Sequence, residues 1–156
     1  MPATIDLHLH TLASDGRLSP TELIQLVAKQ GLETISITDH DSTEGLEEAY
    51  EAAKKFPYMR IIPGIEMSAD IPGDEVHVLG YFLDYHDVEF QEMLTELRRG
   101  RVGRAQVMVE KLVALGKPVE WERVLHFAGD GTVGRPHIAL AMVEAGYFKE
   151  PKEAFE

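Results

Sequence analysis

The stretch Asp6-Leu7-His8-Leu9-His10 decides what kind of fold and site this chain forms. Side chains of an extended strand alternate between two faces, so a carboxylate and two imidazoles (Asp6, His8 and His10) share one face and aliphatic side chains take the other. Two imidazoles at positions i and i+2 of a strand can hold one metal ion from the same side. The pentapeptide alone fits a half-buried strand whose polar face contacts water as well as it fits a metal site. The residues downstream are therefore needed to distinguish the two.

The absence of cysteine limits the chemistry of any metal site. None of the 156 residues is Cys, so disulfides and thiolate ligands are excluded. A metal must then be held by His and carboxylate ligands, which favours manganese, iron or zinc. Apolar residues make up 44% of the chain, enough to pack one ordinary domain or a piece of a larger one.

The charge of the chain argues against a protein that coats nucleic acid. Its 27 acidic residues outnumber its 15 Lys and Arg, and the resulting net charge of −12 repels long nucleic acid. A short phosphorylated substrate remains compatible, because divalent cations reverse the local potential. The N-terminus has no basic region, and the longest apolar runs, such as residues 78–83, are too short to cross a membrane. We therefore expect a soluble, cytoplasmic protein with no membrane partner.

Strand and helix signals alternate along the first half of the chain. Ser19, Pro20 and Glu22 form a capping-box pattern that predicts a helix start, and Gly31 is expected to end that helix. The predicted strands cover residues 4–10, 34–38, 60–66 and 75–83, with a second helix at 43–56 and a turn at 71–74. This order is typical of an α/β fold with a parallel sheet or barrel.

The second part of the chain is helical by the same criteria. Apolar spacing predicts a long helix at 88–115, a shorter one at 120–128 and another that starts at Arg135. The basic run Arg98–Arg104 within the long helix is expected to be a solvated face, with binding of a substrate phosphate as the weaker alternative. We predict a division into residues 1–87, which carry the strands, and residues 88–156. The abrupt end at Glu156 leads us to expect a fragment of something longer.

Residues suited to metal binding fall in or just after four successive predicted strands. They are His8 and His10, His40, Glu66 and His77. Active sites of βα folds lie at the C-terminal ends of parallel strands, so this convergence predicts a shared site. A lone carboxylate such as Glu66 is costly on an apolar strand unless it is paired or binds a metal. His77 alone also fits a core histidine, and Asp15 alone also fits a turn residue.

Two neighbouring aspartates are assigned supporting roles. Asp39 is expected to hydrogen-bond to a neighbouring imidazole and fix its orientation. Asp41 is expected to have no role beyond capping the helix that follows it, and Ser42 is the alternative cap.

Several motifs taken together resemble the PHP (polymerase and histidinol phosphatase) superfamily. They are Asp6-Leu7-His8-Leu9-His10-Thr11 with Ser14-Asp15-Gly16, Thr38-Asp39-His40, and Gly64-Ile65-Glu66. Residues 76–81 and 134–139 are similar to its small stand-alone branch, which includes nucleoside 3′,5′-bisphosphate phosphatases and 5′-to-3′ exoribonucleases of the TrpH type. The resemblance spans essentially the whole chain. It implies the N-terminal portion of a distorted (β/α)7 barrel, with residues 88–156 as a helical insertion.

The resemblance also implies roles for individual residues. It implies two or three divalent metal ions, with manganese favoured over zinc or iron, and Glu66 as their bridge. Glu66 and His40 would take part in catalysis, and Arg135 and His137 would face the substrate phosphate. The implied metal ligands are His8, His10, Asp15, His40, Glu66 and His77.

The implied reaction is hydrolysis of phosphate monoesters or short nucleotides by a metal-activated hydroxide. Nucleoside 3′,5′-bisphosphates and 5′-phosphorylated short RNA are the implied substrates. An enzyme like histidinol phosphatase is an alternative, which the motif at residues 134–139 disfavours. Family members continue with a further His and an Asp-x-His motif that are absent from the C-terminal part of this chain, so a non-catalytic metal-binding fragment is a second alternative. A homodimer is a further expectation, in which a second subunit covers the open edge of the barrel.

Overall fold

The computed structural model describes residues 4–71 and 74–155. Its strands are β1 (Ile5–Leu9), β2 (Thr34–Ile37), β3 (Arg60–Ile71) and β4 (Asp74–Tyr81). Its α-helices are α1 (Pro20–Lys29), α2 (Gly45–Ala53), α3 (Val88–Ala114), α4 (Trp121–Ala128) and α5 (Arg135–Glu144), followed by a 3-10 helix at Pro151–Phe155. The predicted order of strands and helices is confirmed, and the centre of the predicted turn, residues 72–73, lies outside the described residues.

The four strands form one sheet in the order β1-β2-β3-β4, which curls into a half-barrel. β1, β2 and β3 run parallel to one another. β4 runs antiparallel to β3, because only two residues separate Ile71 from Asp74, too few for a crossover connection. The expected α/β class is confirmed, and the last strand departs from an all-parallel sheet.

β3 is longer than its apolar pattern predicted. The predicted end was Glu66, whereas the strand continues to Ile71 along an antiparallel ladder with β4. The signal was weak because residues 67–70 (Met-Ser-Ala-Asp) lack the β-branched and aromatic side chains that mark strands. Gly64 permits the close approach of β2 and β3, since a Cβ there would lie 2.2 Å from Ser36 Oγ. The extension sets Glu66 beside β4 rather than at the end of a strand.

The start of α1 follows from its capping residues. The Glu22 N–H donates to Ser19 Oγ at 3.3 Å, and the Ser19 N–H donates to the Glu22 carboxylate at 2.9 Å. The predicted capping box is therefore confirmed. The buried face of α1 contains Leu23, Ile24 and Val27, whereas Leu26 is exposed.

Two separate hydrophobic cores stabilise the chain. The strand core, between the sheet and α1 and α2, contains Leu23, Ile24, Val27, Ile35, Ile37, Leu46, Ala49 and Ala52. The helical core, around α3, α4 and α5, contains Ala105, Val119, Val124, Ala128, Val133, Ile138, Ala141 and Met142. Each large aliphatic side chain in these cores contributes about 1.5–3 kcal/mol by its burial.

α3 is the longest helix and is predominantly polar. Asp87 caps it by accepting a hydrogen bond from the Phe90 N–H at 2.8 Å. The helix buries Leu94, Arg101 and Ala105, which lie on one face. Among the helices of the described residues, none has both the length and the apolar character that a membrane span requires.

Candidate metal centre

The Glu66 carboxylate is the point at which the predicted site residues meet. Its Oε2 lies 2.7 Å from His8 Nε2 and 3.1 Å from His10 Nε2, and its Oε1 lies 2.6 Å from His77 Nδ1. Glu66 is only 5% exposed to solvent. A buried carboxylate is stable only when it is paired, and these three imidazoles are the partners that its apolar strand required.

Backbone pairing beyond the end of β2 brings His40 to Glu66. The two residues form an isolated parallel bridge, in which the Asp41 N–H donates to the Glu66 carbonyl at 3.0 Å and the Glu66 N–H donates to the Asp39 carbonyl at 3.2 Å. His40 Nδ1 lies 3.8 Å from Glu66 Oε2. The imidazole therefore reaches the carboxylate because the chain stays beside β3 after β2 has ended.

Antiparallel pairing of β4 supplies His77. Ser68 faces His77 in the register of the ladder, and Glu66 faces Leu79. Directly opposed residues and i, i+2 neighbours of an antiparallel pair share one face, so His77 lies diagonally across from Glu66. Val78, the next residue of the strand, belongs to the other face and is exposed.

The loop after β1 places Asp15 between two imidazoles. Asp15 Oδ1 lies 3.3 Å from His10 Nδ1, and its Oδ2 lies 3.6 Å from His40 Nε2. The loop is tight at Gly16, where a Cβ would lie 2.4 Å from the His10 carbonyl oxygen. Only glycine allows this close approach of backbone to backbone, so the turn that carries Asp15 has a steric basis.

Asp39 holds this loop rather than an imidazole, so its predicted role was wrong in that respect. The buried carboxylate accepts hydrogen bonds from the Thr11 N–H at 2.7 Å and from the hydroxyls of Thr11 and Ser14, both at 2.6 Å. Ser14 Oγ lies in turn 3.4 Å from His10 Nδ1. Asp39 therefore affects the His10 imidazole indirectly, by fixing the loop whose Ser14 contacts that imidazole.

Three overlapping groups of side chains have the geometry of a metal site. The potential ligand atoms of each group lie within 4.8 Å of one another in His8–His10–Glu66, His10–Asp15–His40 and His40–Glu66–His77. His40 Nδ1 is buried and has no hydrogen-bond partner among the described residues, which is costly for a polar atom. A divalent cation would satisfy that nitrogen, and imidazole with carboxylate is a donor set that suits zinc, manganese or iron. The residues therefore fit the ions that the sequence led us to expect.

Electrostatics keep the two carboxylates ionised. Burial alone would raise the pKa of Asp15, but His40, whose Nε2 lies 3.6 Å from the carboxylate, and the other nearby imidazoles lower that pKa to about 2. Burial also opposes the ionisation of Glu66, yet the surrounding imidazoles, led by His8, lower its pKa below the usual value. Burial lowers the pKa of His10, against the opposing charge of Asp15. Ionised carboxylates and neutral imidazoles are the forms that bind metal ions.

A cavity of about 120 Å³ opens beside these side chains. The residues that line it include Asp15, His40 and His77 and also Arg135, the first residue of α5. The structure thus brings Arg135 to the same cavity as the predicted metal ligands.

His137 is placed differently from Arg135. It is buried, its Nδ1 accepts a hydrogen bond from the Gly134 N–H at 3.0 Å, and its ring also bonds to the Ser14 backbone. Burial lowers its pKa, against the opposing charge of Asp15. These contacts tie the start of α5 to the loop that carries Asp15, and the expected contact of His137 with a phosphate stays a prediction.

The basic run of α3 is only partly a solvated face, so that prediction was wrong for three of its arginines. The side chain of Arg98 is only 24% exposed and donates to the Asp41 carbonyl. Arg101 is 7% exposed and forms an ion pair with Asp41, and Arg104 lines the cavity beside the predicted ligands. The side chain of Arg99, by contrast, is 70% exposed, as predicted. A signal for Arg101 existed in the sequence, since it lies seven residues after the buried Leu94 and hence on the same helix face.

Asp41 is not a helix cap, which corrects a second prediction. The residue that precedes α2 is Glu44, and its side chain makes no capping hydrogen bond. The Asp41 carboxylate is instead fully buried, where it pairs with Arg101 and accepts a hydrogen bond from the Ser68 N–H at 2.9 Å.

Comparisons with known proteins agree with this arrangement. The family model of the PHP domain matches residues 6–147. The 5′-3′ exoribonuclease Rnm of Salmonella typhimurium is 34% identical over 142 residues, which cover 90% of this chain and 48% of that protein. The 3′,5′-nucleoside bisphosphate phosphatase of Chromobacterium violaceum is 33% identical over 156 residues, which cover 98% of this chain and 54% of that protein. The chain spans about half the length of the curated relatives it matches.

A solved structure shares the fold. The crystal structure of a protein described as a metal-dependent phosphoesterase, from Bifidobacterium adolescentis, matches with a TM-score of 0.86 at 35% identity. The match covers 97% of this chain and 53% of that protein. Because nearly the whole chain is covered, the helices after residue 87 belong to the shared fold as much as the sheet does.

Proposed function

Because the chain belongs to the PHP domain family, we propose that it forms the metal-binding part of a phosphoesterase that hydrolyses phosphate esters of small nucleotides or short RNA. The observation that carries this proposal is the convergence of four imidazoles on Glu66 and Asp15, beside a cavity lined by Arg135. Imidazoles and carboxylates hold cations, and a guanidinium attracts an anion, so a phosphate ester suits both sides of the cavity. The proposed ligands are His8, His10, Asp15, His40, Glu66 and His77.

Each ligand has its own part in this proposal. Two or three divalent ions, with manganese favoured over zinc or iron, would lower the pKa of a coordinated water and polarise the phosphoryl group. Glu66 is suited to the bridging role because its two oxygens contact different imidazoles, those of His77 and His8. His40 joins two of the ligand groups, and its buried Nδ1 has no hydrogen-bond partner in the described part of the chain.

The helical side of the cavity would hold the substrate. Arg135 is proposed to bind the phosphate, because its planar fork can bond two phosphate oxygens at once. It stands at the N-terminus of α5, where the helix dipole also favours an anion. His137, through its bonds to Gly134 and Ser14, would hold Arg135 in register with the Asp15 loop.

We propose that the chain divides into a part that carries the strands and a part that is helical. Residues 1–87 would form the first strands and helices of a distorted (β/α)7 barrel, and residues 88–156 its helical insertion. β1 pairs only with β2 among the described strands, so its other edge offers free backbone groups to a further strand. That strand would come from the same protein or from a second copy of it.

Phosphate release tests the proposal. The chain and the full-length protein, meaning the longest product of its gene, would be assayed with Mn²⁺ on a nucleoside 3′,5′-bisphosphate, a 5′-phosphorylated short RNA, histidinol phosphate and an aryl phosphate. We expect turnover of the nucleotide substrates. Preference for histidinol phosphate would replace the proposed substrate class, and lack of turnover by both forms of the protein would contradict the proposal. Turnover by the full-length product alone would show that this chain supplies part of the site.

A further inference from the structure

A buried polar network lies behind the predicted metal ligands. The Asp41 carboxylate, fully buried, pairs with the Arg101 guanidinium of α3. The same guanidinium donates to Ser68 Oγ, and the Ser68 N–H donates to Asp41 Oδ1 at 2.9 Å. The three side chains therefore form a closed ring of interactions that joins α3 to the end of β2 and to β3.

Every member of one ligand group is attached to this network. Asp41 follows His40 directly, and its N–H donates to the Glu66 carbonyl at 3.0 Å. Ser68 lies two residues beyond Glu66 on β3 and faces His77 across the ladder. The His40–Glu66–His77 group is thus held through the residues next to it, and Arg101 is the member of the network that comes from outside the sheet.

The backbone at Asp41 needs this support. Its φ is +50°, a left-handed conformation that is uncommon for a residue other than glycine and persists where the surroundings hold it. Arg98 of α3 also donates to the Asp41 carbonyl at 3.2 Å. Without Arg101 the buried Asp41 carboxylate would lose its counter-charge, and its relaxation would move the adjoining His40.

We infer that Arg101 is a positioning residue, which fixes the His40–Glu66–His77 group so that its affinity for a divalent cation depends on the docking of α3. The inference rests on the proposed metal site. Residues that orient metal ligands through hydrogen bonds typically contribute about 10- to 100-fold to metal affinity.

Whether cation binding weakens or tightens when Arg101 is replaced distinguishes a positioning role from a purely electrostatic one. Arg101 lines the same cavity as His40 and His77, so its positive charge repels a cation bound there. Removal of the charge alone would tighten cation binding. A positioning role predicts weaker binding, the opposite result.

The test is a titration of the metal-free chain with Mn²⁺ alone, in which free Mn²⁺ is followed by electron paramagnetic resonance. Wild type, Arg101→Gln, Arg101→Lys and Arg99→Gln would be compared, and circular dichroism would report whether each is folded. Arg99 is the matched control, because it is an exposed arginine of the same helix that pairs with Glu96 on that helix.

We expect Arg101→Gln to raise the Kd of at least one Mn²⁺ site by about 10- to 100-fold. Arg101→Lys should give an intermediate Kd, because one ammonium can pair with Asp41 but lacks the fork that also reaches Ser68. Arg99→Gln should change the Kd by less than about twofold, since exposed ion pairs contribute little.

A folded Arg101→Gln chain that binds Mn²⁺ as tightly as wild type, or more tightly, would overturn the inference and leave the proposed function standing. If Arg101→Gln does not fold, the Arg101→Lys chain decides, and a wild-type Kd for it would overturn the inference. A wild-type chain that binds no Mn²⁺ would overturn the inference and the proposed metal site together.

Discussion

The strand region (residues 5–81) and the helical region (residues 88–155) contribute opposite kinds of side chain to one cavity. The strand region supplies the imidazoles and carboxylates of the ligand groups. The helical region supplies guanidinium groups, those of Arg101, Arg104 and Arg135. Each region has a hydrophobic core of its own. The proposed site is therefore divided by chemistry, with imidazoles and carboxylates from the strand region and guanidinium groups from the helical region.

The contact between the two regions next to the site is polar, and we call it the joint. The Arg101–Asp41 ion pair is buried, and it connects α3 to the residue that follows His40. Apolar packing is non-directional, whereas an ion pair with hydrogen bonds fixes one orientation of its partners.

The largest effect is expected in the strand region, from Glu66→Ala. This change removes the carboxylate that contacts His8, His10 and His77, so we expect metal binding to be lost. Activity of the full-length protein should fall by roughly 100-fold or more, beyond the range typical of residues that only orient ligands. Mn²⁺ titration and phosphate release measure the two effects. Glu96→Ala, which removes an exposed carboxylate of α3, is the control, and full activity of Glu66→Ala would show that the bridging role is wrong.

At the joint, Asp41→Asn should lower the free energy of unfolding by about 3–5 kcal/mol, because it leaves the Arg101 charge buried without its counter-charge. Urea denaturation measures this effect. Glu96→Gln breaks an exposed ion pair of α3 and should change the stability by less than about 1 kcal/mol. Equal effects of the two substitutions would mean that the buried pair does not join the regions.

In the helical region, Arg135→Ala should raise the KM of the full-length protein for its phosphate ester by about tenfold, or about 1.4 kcal/mol, with a smaller change in kcat. The physical reason is the loss of charged hydrogen bonds to phosphate oxygens. Steady-state kinetics measures both constants, and Arg135→Lys, which keeps the charge but not the fork, should lie between wild type and alanine. An unchanged KM would remove Arg135 from the substrate site.

The smallest expected effect is the pH dependence of stability, which involves one imidazole from each region. The pKa values of His10 and His137 are both lowered in the folded chain, mainly by burial, from an ordinary value of 6.5. The unfolded chain then binds more protons just below pH 6.5, so stability is full above that pH and falls as the pH drops through the folded values. Urea denaturation of the metal-free chain at a series of pH values should show this loss, and it should be shallower for His10→Gln. Stability that rises on acidification from pH 6.5 would contradict the assignment.

The strand region could be predicted from the sequence because its signal is local. A period of two places alternate residues on one face, so the shared face of His8 and His10 and the inward face of His77 follow from spacing alone. The antiparallel direction of β4 and the true length of β3 required the ladder between them, which the polar residues 67–70 obscured. The convergence on Glu66 was therefore predicted, and the way in which the strands achieve it was not.

The helical region was harder to predict because its decisive contacts are long-range. A run of arginines on a polar helix is usually solvated, and the partner that buries Arg101 lies 60 residues earlier in the chain. Asp41 was interpreted from its neighbours alone, as a cap, for the same reason. Asp39 was placed correctly as a support, but its hydrogen-bond partners in the loop after β1 depend on a tertiary turn.

Anomalous X-ray scattering from a crystal of the metal-free chain soaked in Mn²⁺ would locate the bound ions relative to the proposed ligands. We expect at least one manganese peak bounded by the Glu66 carboxylate and the imidazoles of the strand region, with His40 Nδ1 or another imidazole nitrogen among its ligands. Well-ordered Glu66 and His40 side chains with no manganese peak beside them would contradict the proposed metal site.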